Sequence, residues 1–163
     1  MTARWKLFAM IVAAGLIVDQ ATKLYIHKSM FIYQTIPVIP DIFNIFYIRN
    51  RGAAFSFLAN VSWRLPFFIL VSTFASAVIL VAFCRLKESQ KTAQTALALI
   101  FSGAVGNLID RVRLGEVIDF LDFHWKTHHW PAFNVADSCI FVGVALLAFD
   151  LLREERRKKG GTG

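Results

Sequence analysis

Long apolar stretches separated by short charged segments dominate the sequence. A helix needs roughly 20 mainly apolar residues to cross the hydrocarbon of a bilayer. Four stretches approach or reach that length, at residues 7–26, 65–84, 93–109 and 133–152. The second contains no charge, whereas the third is shorter and carries small and polar residues. The pattern predicts four transmembrane helices, with residues 1–163 as one integral membrane domain.

The connection between the first two predicted helices, residues 27–64, has a different pattern. It combines prolines with β-branched and aromatic residues, which favours short strands at sheet edges and turns. We expect strands at 34–38 and 43–48 and a brief helix at 53–58, resting together on the membrane surface. The predicted fold class is therefore an all-α membrane protein with a small extracytoplasmic β-rich segment between helices one and two.

Composition and charge favour a membrane protein over a nucleic-acid-binding protein. The hydrophobic fraction is 56% and the mean hydropathy is +0.54, above the usual range of soluble proteins. The formal net charge of +7 comes from basic residues that gather beside the apolar runs rather than in one patch. Cys84 and Cys139 have neither metal-ligand spacing nor the density of a disulfide scaffold. We expect neither a nucleic-acid partner nor a cofactor.

Basic residues beside the predicted helices indicate their orientation. They precede the first helix, separate the second from the third and follow the fourth: Arg4, Lys6, Arg85, Lys87, Lys91, Arg153, Arg156, Arg157, Lys158 and Lys159. With four spans these places share one side, which the positive-inside rule assigns to the cytoplasm. We therefore expect both termini in the cytoplasm. The start of the chain resembles a signal peptide, but the three later spans favour a retained first helix.

Two pairs of polar residues lie one helical turn apart near the outer ends of predicted helices. Asp19 and Lys23 share a face of the first helix. They could form an ion pair, or Lys23 could reach an anionic or carbonyl group of a substrate. Asn107 and Arg111 share a face where the third helix ends. They could hold a substrate backbone or carboxylate, or anchor the helix at the interface. The spacing leaves both questions open.

Asp119 and Asp137 stand among apolar residues on the two limbs of the connection between helices three and four. If the limbs converge, two poorly solvated carboxylates share one proton, as amide hydrolysis by an aspartic mechanism requires. Isolated aspartates that cap helices are the commoner case, and Asp137 or Asn134 would serve as a cap at a helix start. Spacing alone favours the cap.

Other kinds of catalytic site find less support. His124, His128 and His129 could bind zinc together with Asp122, but no fixed ligand motif joins them. None of the serines stands beside a histidine or lysine in a recognisable nucleophile context. We therefore expect no metal site and no serine mechanism.

Five sequence blocks resemble, in order, the motifs of the lipoprotein signal peptidases (signal peptidase II). They are DQATK at 19–23, NRGAAFS at 50–56, GAVGNLIDR at 103–111, VIDF at 117–120 and FNVADS at 133–138. The match extends over nearly the whole chain. Five blocks in order are far more specific than any single one, and none departs from the pattern in a way that suggests an inactive relative.

The resemblance implies an enzyme of the bacterial cytoplasmic membrane with four transmembrane helices. Such an enzyme cleaves diacylglyceryl-modified prolipoproteins N-terminal to the lipidated cysteine, near the extracytoplasmic face. By motif position the catalytic aspartates would be Asp119 and Asp137. The implied substrate-facing or supporting residues are Asp19, Lys23, Asn50, Gly52, Asn107, Arg111 and Asn134.

The partners implied are prolipoprotein substrates and membrane lipid, and we expect a monomer. Two rival functions stay open from the residues alone. A proton-coupled carrier would use the intramembrane ionisable groups as relays: Asp19, Lys23, Asp119 and Asp137. A non-catalytic membrane assembly factor would tolerate asparagine in place of both aspartates of the second connection.

Overall fold

Four long helices form the body of the protein. The computed structural model describes residues 2–52 and 61–160, with side chains described as far as Arg156. The helices are α1 (Ala3–Ser29), α2 (Arg64–Arg85), α3 (Lys91–Leu114) and α4 (Val135–Gly160). Each contains a segment long and apolar enough to cross a membrane, which confirms the four predicted spans. The brief helix predicted at 53–58 falls outside the described residues.

The third helix runs well beyond the predicted limits of 93–109 at both ends. It ends at Gly115, whose φ of 72° is left-handed and whose backbone N–H donates to the Arg111 carbonyl. The extension at the outer end carries Asp110 and Arg111, and Asp110 is buried, as is Asn107 three residues earlier. The predicted helix is too short at this end because a hydropathy pattern counts polar side chains against a span even when they face the protein interior.

Helix α3 lies at the centre of the bundle and packs against the other three helices, most extensively against α4. The contact with α4 is close enough to require glycine. A Cβ atom at Gly103 would overlap the Ala136 carbonyl oxygen, and one at Gly143 would lie 2.7 Å from the Ala96 carbonyl oxygen. Small residues on α3 therefore bring two backbones together, as expected for helix packing in lipid.

A four-stranded antiparallel sheet covers one end of the bundle. Its strands are β1 (Thr35–Ile39), β2 (Phe43–Asn50), β3 (Val117–Trp125) and β4 (His128–His129), in that spatial order. The first two confirm the strands predicted between α1 and α2. The other two come from the connection between α3 and α4, where no strand was predicted. The fold class is confirmed, but both outer connections build the sheet.

The pairing of β2 with β3 fixes which residues meet beneath the sheet. Ile48 lies opposite Asp119, and Asn50 lies opposite Val117. The opposite face packs on the end of α1 through an apolar cluster made up of Ile26, Met30, Tyr47, Ile118 and Phe120. A bridge between Leu121 and Phe133 then brings the chain alongside β3 just before α4 begins. The start of α4 is thereby held next to Asp119.

The opposite end of the bundle is built from aromatic rings. Phe83, which is fully buried, lies 4.4 Å from Phe8 and 5.0 Å from Trp5 between ring centroids. Arg4 donates to the Leu86 carbonyl at 2.6 Å, which ties the start of α1 to the end of α2. We call this region the aromatic end. It is also where the basic residues that flank the helices gather.

Candidate active site

Asp119 and Asp137 approach each other on either side of one asparagine. Asp119 lies on β3 and is 2% exposed, and Asp137 lies in the first turn of α4. The buried Asn134 donates from Nδ2 to Asp119 Oδ1 at 2.7 Å. Its Oδ1 accepts the backbone N–H of Asp137 at 2.9 Å. One side chain therefore holds both limbs of the connection together.

The bonds between Asn134 and Asp137 also form a cap on α4. Asn134 precedes the helix and accepts the Asp137 N–H, while Asp137 Oδ2 accepts the Asn134 N–H at 3.3 Å. This reciprocal arrangement is a capping box with a carboxylate in the third helical position. The cap and the paired carboxylates, which the sequence left as alternatives, coexist. Asp137 uses one oxygen for the cap and keeps the other for the site.

Two further asparagines hold the remaining carboxylate oxygens. Asn107 donates from Nδ2 to Asp137 Oδ1 at 2.8 Å, and Asn50 donates from Nδ2 to Asp119 Oδ2 at 3.0 Å. Because Asn134 supplies the other two bonds, every oxygen of the pair accepts one N–H group. A carboxylate oxygen has room for two such contacts, so each oxygen still has room for a proton or a water.

The orientation of each asparagine amide is set by a group that can only donate. Lys23 Nζ donates to Asn107 Oδ1 at 3.0 Å, and the Gly52 backbone N–H donates to Asn50 Oδ1 at 2.9 Å. The Asp137 N–H does the same for Asn134. Since the oxygen of each amide faces a donor, the nitrogen must face the carboxylates. Lys23 and Gly52 therefore act on the aspartates through an intermediate amide.

Lys23 is the centre of a buried ionic network. Its ammonium is 3.0 Å from Asp19 Oδ2, 3.0 Å from Asp110 Oδ2 and 3.0 Å from Asn107 Oδ1. Only 1% of the residue is exposed. A lysine has three N–H donors, and these three partners use them all. The ion pair considered from the sequence is therefore present.

Asp110 and Gln20 belong to the same network and were missed as site residues. Asp110 accepts the Ile118 backbone N–H at 3.2 Å and the Gln20 amide at 3.1 Å. Asp19 accepts the Ala136 N–H at 2.9 Å. The network thus joins α1, α3, β3 and α4, and we call this region the polar end. Both missed residues stand inside the sequence blocks quoted above, beside Asp19 and Arg111, which was the available signal.

Arg111 and Asn107 share a face of α3, and the sequence left two roles open for them, holding a substrate or anchoring the helix. The Arg111 guanidinium lies over the Phe68 ring of α2, 5.1 Å from the centroid, and donates to the Asn107 carbonyl at 3.4 Å. A guanidinium over an aromatic face is a favourable cation–π contact. Arg111 therefore ties α2 to the outer end of α3, while Asn107 alone reaches a carboxylate.

Burial changes the proton affinity of Asp119. Its pKa rises to about 7, chiefly because the carboxyl is removed from water and also because the Asp137 charge lies nearby. The hydrogen bonds from Asn50 and Asn134 and the charge of Lys23 oppose this rise. At neutral pH Asp119 is therefore divided between its protonated and ionised forms. That is the range in which a carboxyl both gives and takes a proton readily.

A cavity of about 940 Å³ opens beside Asp119 under the sheet. Its wall includes Asp119 and Asn50, and farther along β3 it includes Asp122, with His129 and Trp130 from the last strand and the segment after it. Apolar side chains such as Ile48 share the lining with charged ones. The cavity is large enough for an extended peptide segment, and it places one carboxylate of the pair in direct contact with whatever enters.

The comparisons with known proteins agree over nearly the whole chain. Residues 11–153 match the family model for signal peptidase (SPase) II. The chain is 65% identical over 158 residues to the lipoprotein signal peptidase of Geobacter sulfurreducens, covering 97% of this chain and 99% of that protein. It is 47% identical over 143 residues to the lipoprotein signal peptidase of Pseudomonas putida, covering 86% of this chain and 84% of the other.

A solved structure has the same fold. A bacterial membrane enzyme determined by the in meso method at 2.3 Å resolution superposes with a TM-score of 0.84 and 35% sequence identity. The superposition covers 93% of this chain and 90% of that one. The family model, the relatives and the solved structure agree with one another. The chain therefore belongs to the signal peptidase II family.

Proposed function

We propose that Asp119 and Asp137 are the catalytic pair of this enzyme. As a member of its family the chain is an aspartic endopeptidase that removes signal peptides from prolipoproteins. The observation that carries the assignment is the convergence of both carboxylates on Asn134, with every oxygen held by an N–H donor. Fixed donors around a pair of carboxylates orient them before a substrate arrives, so little reorganisation is needed during reaction.

The two carboxylates differ in their surroundings, and we assign their roles from that difference. Asp137 lies in the first turn of α4, where the helix dipole and the Asn134 N–H favour a negative charge. Asp119 is more deeply enclosed, and its raised pKa keeps a proton on it near neutral pH. Asp137 is therefore the base and Asp119 the acid in the resting enzyme.

Hydrolysis then proceeds through a tetrahedral intermediate. Asp137 takes a proton from a water molecule, whose oxygen attacks the carbonyl carbon of the scissile amide. Asp119 donates its proton to the carbonyl oxygen as negative charge develops there. When the intermediate collapses, the C–N bond breaks, the carbonyl re-forms and the proton held by Asp137 passes to the leaving amine. The products are a carboxylic acid and an amine, and the dyad regains a single shared proton.

The position of the site at the end of the helices suits a lipid-modified substrate. The chain is a multi-pass protein of the bacterial inner membrane. The diacylglyceryl group on the substrate cysteine would remain in lipid between helices, with the signal peptide alongside. The bond N-terminal to that cysteine would then lie at the membrane boundary, beside the cavity. Lipid recognition would position the bond. We also propose that residues 1–163 form one membrane domain that acts as a monomer.

Charge and exposed apolar surface support an orientation with the site outside. Ten of the 18 lysines and arginines gather at the aromatic end, at the start of α1, between the apolar parts of α2 and α3 and at the end of α4. The positive-inside rule places that end in the cytoplasm with both termini. The sheet at the other end exposes large apolar side chains, including Phe31 at 85% and Tyr33 at 70%. Trp125 and Trp130 are also exposed there, as aromatic residues at a membrane interface are. The active site is then near the extracytoplasmic face.

A cleavage assay with matched variants tests the assignment. Purified enzyme in detergent is incubated with a diacylglyceryl prolipoprotein, and the shortened product is followed on a gel. Asp119→Asn and Asp137→Asn should each lower the rate at least about 10³-fold, since each removes a proton-transfer group. Asp41→Asn, the same change at an exposed residue of the β1–β2 turn, should leave the rate unchanged.

Thermal unfolding of all three variants checks that the loss of activity is not a loss of fold. Full activity in either dyad variant would remove the aspartic mechanism. An uncut precursor combined with proton flux in liposomes would instead favour the carrier considered from the sequence. Tolerance of asparagine at both positions without any transport would favour the assembly factor.

A further inference from the structure

The hairpin of β3 and β4 gathers three metal-ligand side chains on one face. His124 and His129 are directly opposite each other across the two strands. Asp122 lies two residues before His124, and residues two apart on a strand point to the same face. A carboxylate oxygen and one nitrogen from each ring all lie within 4.8 Å of one another. The strand register, rather than a choice of rotamers, creates this grouping.

Hydrogen bonds already turn the three side chains toward a common point. His129 Nδ1 lies 2.9 Å from Asp122 Oδ1. Asn44 donates from Nδ2 to Asp122 Oδ2 at 2.9 Å, and the same nitrogen lies 3.4 Å from His124 Nδ1. Because Asp122 only accepts, Asn44 must present its N–H₂ group here, and His124 Nδ1 therefore offers it a lone pair. To bind an ion, this nitrogen would exchange its contact with Asn44 for the metal.

We propose that Asp122, His124 and His129 bind a divalent transition metal ion such as Zn²⁺. Two imidazoles and one carboxylate form a donor set that such ions favour, and a fourth position stays open to water or to a group in the cavity. Asn44 holds the second oxygen of Asp122, the kind of outer contact that orients a ligating carboxylate. No fixed ligand motif marks this site in the sequence, because the two histidines meet only through the hairpin.

Binding requires small changes that the site has room to make. The two imidazole planes are nearly parallel, at 11° and 4.8 Å between centroids, so at least one ring must turn to share an ion. His129 has a side chain that is 51% exposed, which leaves it free to rotate.

Two of the three proposed ligands lie in the wall of the cavity that reaches Asp119. Asp122 and His129 line that cavity together with Asp119, which stands three positions earlier on β3. A bound dication would therefore add positive charge along the route that leads to Asp119. The metal site itself does not depend on the proposed function, because its ligands are separate from the carboxylate pair.

Direct binding to matched histidine variants tests the site. The full chain is purified in detergent with any affinity tag removed, and Zn²⁺ is titrated in competition with a chromophoric chelator. His129→Ala and His124→Ala should each weaken binding at least about tenfold, since even outer-contact changes cost that much. His128→Ala is the control, because His128 is adjacent in sequence and faces the other side of the hairpin. This variant should bind one ion as the unsubstituted protein does.

Thermal unfolding provides a second readout that does not depend on activity. Zn²⁺ should raise the unfolding temperature of the unsubstituted protein and of His128→Ala, but not that of His129→Ala. In a chelator all of these proteins should unfold at similar temperatures, which shows that the hairpin substitutions keep the fold. Equal Zn²⁺ affinity in the unsubstituted protein and in His129→Ala and His124→Ala would overturn the proposal. So would the absence of binding to the unsubstituted protein.

Discussion

The two ends of the helix bundle are held together by opposite kinds of interaction. At the aromatic end, Phe8, Phe83 and Trp5 pack through ring contacts that have no fixed donor or acceptor. At the polar end, Lys23 and Asp110 are buried and matched atom by atom. Ring packing tolerates a substitution of similar size because dispersion is spread over many weak contacts. A buried polar network does not, since each lost partner leaves another group unsatisfied.

This difference separates two tasks that the fold must perform. The aromatic end can hold helices together without specifying the orientation of any one side chain. The polar end fixes which atom of each asparagine faces the carboxylates, and for Asn107 that orientation is set by Lys23. Substitutions at the aromatic end should therefore lower stability alone, whereas substitutions at the polar end should also lower the rate of cleavage.

The largest effect is expected for Lys23→Met. The change leaves Asp19 and Asp110 buried without their cation, which costs about 3–5 kcal/mol when one partner of a buried pair is removed. It also frees Asn107 Oδ1, so the amide no longer has to present its nitrogen to Asp137. Cleavage should fall below detection, and the unfolding temperature should drop. The measurements are the prolipoprotein assay and a thermal melt in detergent.

Lys28→Met is the matched control, because Lys28 is exposed near the end of the same helix. It should cleave and melt as the unsubstituted enzyme does. Normal melting and full activity of Lys23→Met would contradict the expectation that the polar end tolerates substitution less well than the aromatic end.

Asn134→Ser should lower the rate about 100-fold at a smaller cost in stability. Serine retains an oxygen that can cap α4, but it lacks the amide that reaches Asp119. Asn134→Ala removes the cap as well, so it should unfold more easily by about 1 kcal/mol while losing a similar amount of activity. Comparing the two melts with the two rates separates the cap from the carboxylate contact. Equal rates in Asn134→Ser and the unsubstituted enzyme would show that the amide only caps.

A pH profile should show that the polar end titrates near neutrality. Asp119, with a pKa of about 7, must be protonated to act as the acid. The rate should therefore fall about fivefold between about pH 7 and 8, as the protonated fraction declines. A rate that stays constant across this interval would remove Asp119 from the acid role.

The same group should make stability depend on pH. Between the ordinary carboxyl pKa of 3.8 and about 7, the folded state keeps a proton that the unfolded state releases. Stability therefore declines as the pH rises through that window. Asp119→Asn lacks the titrating group and should show a shallower decline when its melts are compared with those of the unsubstituted enzyme.

The smallest effect on catalysis is expected for Phe83→Leu at the aromatic end. The fully buried ring loses contacts with Phe8 and Trp5, which should cost about 1–2 kcal/mol of stability. The rate per folded molecule should stay unchanged, and so should its pH dependence. A lower rate at temperatures well below the melt would show that the two ends are coupled through the helices.

The sequence predicted the helices well because their main signal is local. Hydropathy located all four, and it ended a span too early where polar residues belong to it, as at the outer end of α3 with Asp110 and Arg111. The strands β1 and β2 were found from nearby prolines and β-branched residues. Strand β3 was not, since its partner β2 lies some seventy residues earlier and local sequence does not record such a pairing.

The sequence identified most residues of the site but not the hydrogen bonds that join them. The residues alone left Asp137 as a cap or a catalyst, and the family resemblance pointed to both aspartates. The sequence could not show which side chains contact each other. It did not show that Lys23 donates to Asn107, or that the Gly52 N–H orients Asn50. Asp110 was missed because a carboxylate beside an arginine at a helix end resembles an ordinary interfacial pair. Only the packing of α1 against α3 shows that its partner is Lys23.

The order in which the chain is made gives the position of Asn134 and Asp137 at the start of α4 a further meaning. Domains generally form from the N-terminus as synthesis proceeds. Lys23, Asn50, Asn107 and Asp119 come earlier in the chain, so the proposed pair is completed only when the last helix arrives. Under the proposed mechanism, a nascent chain without α4 holds only one of the two catalytic carboxylates and cannot split a peptide bond. It would gain activity only once the final span has been inserted, so partly assembled enzyme would not cut other chains at the translocation site.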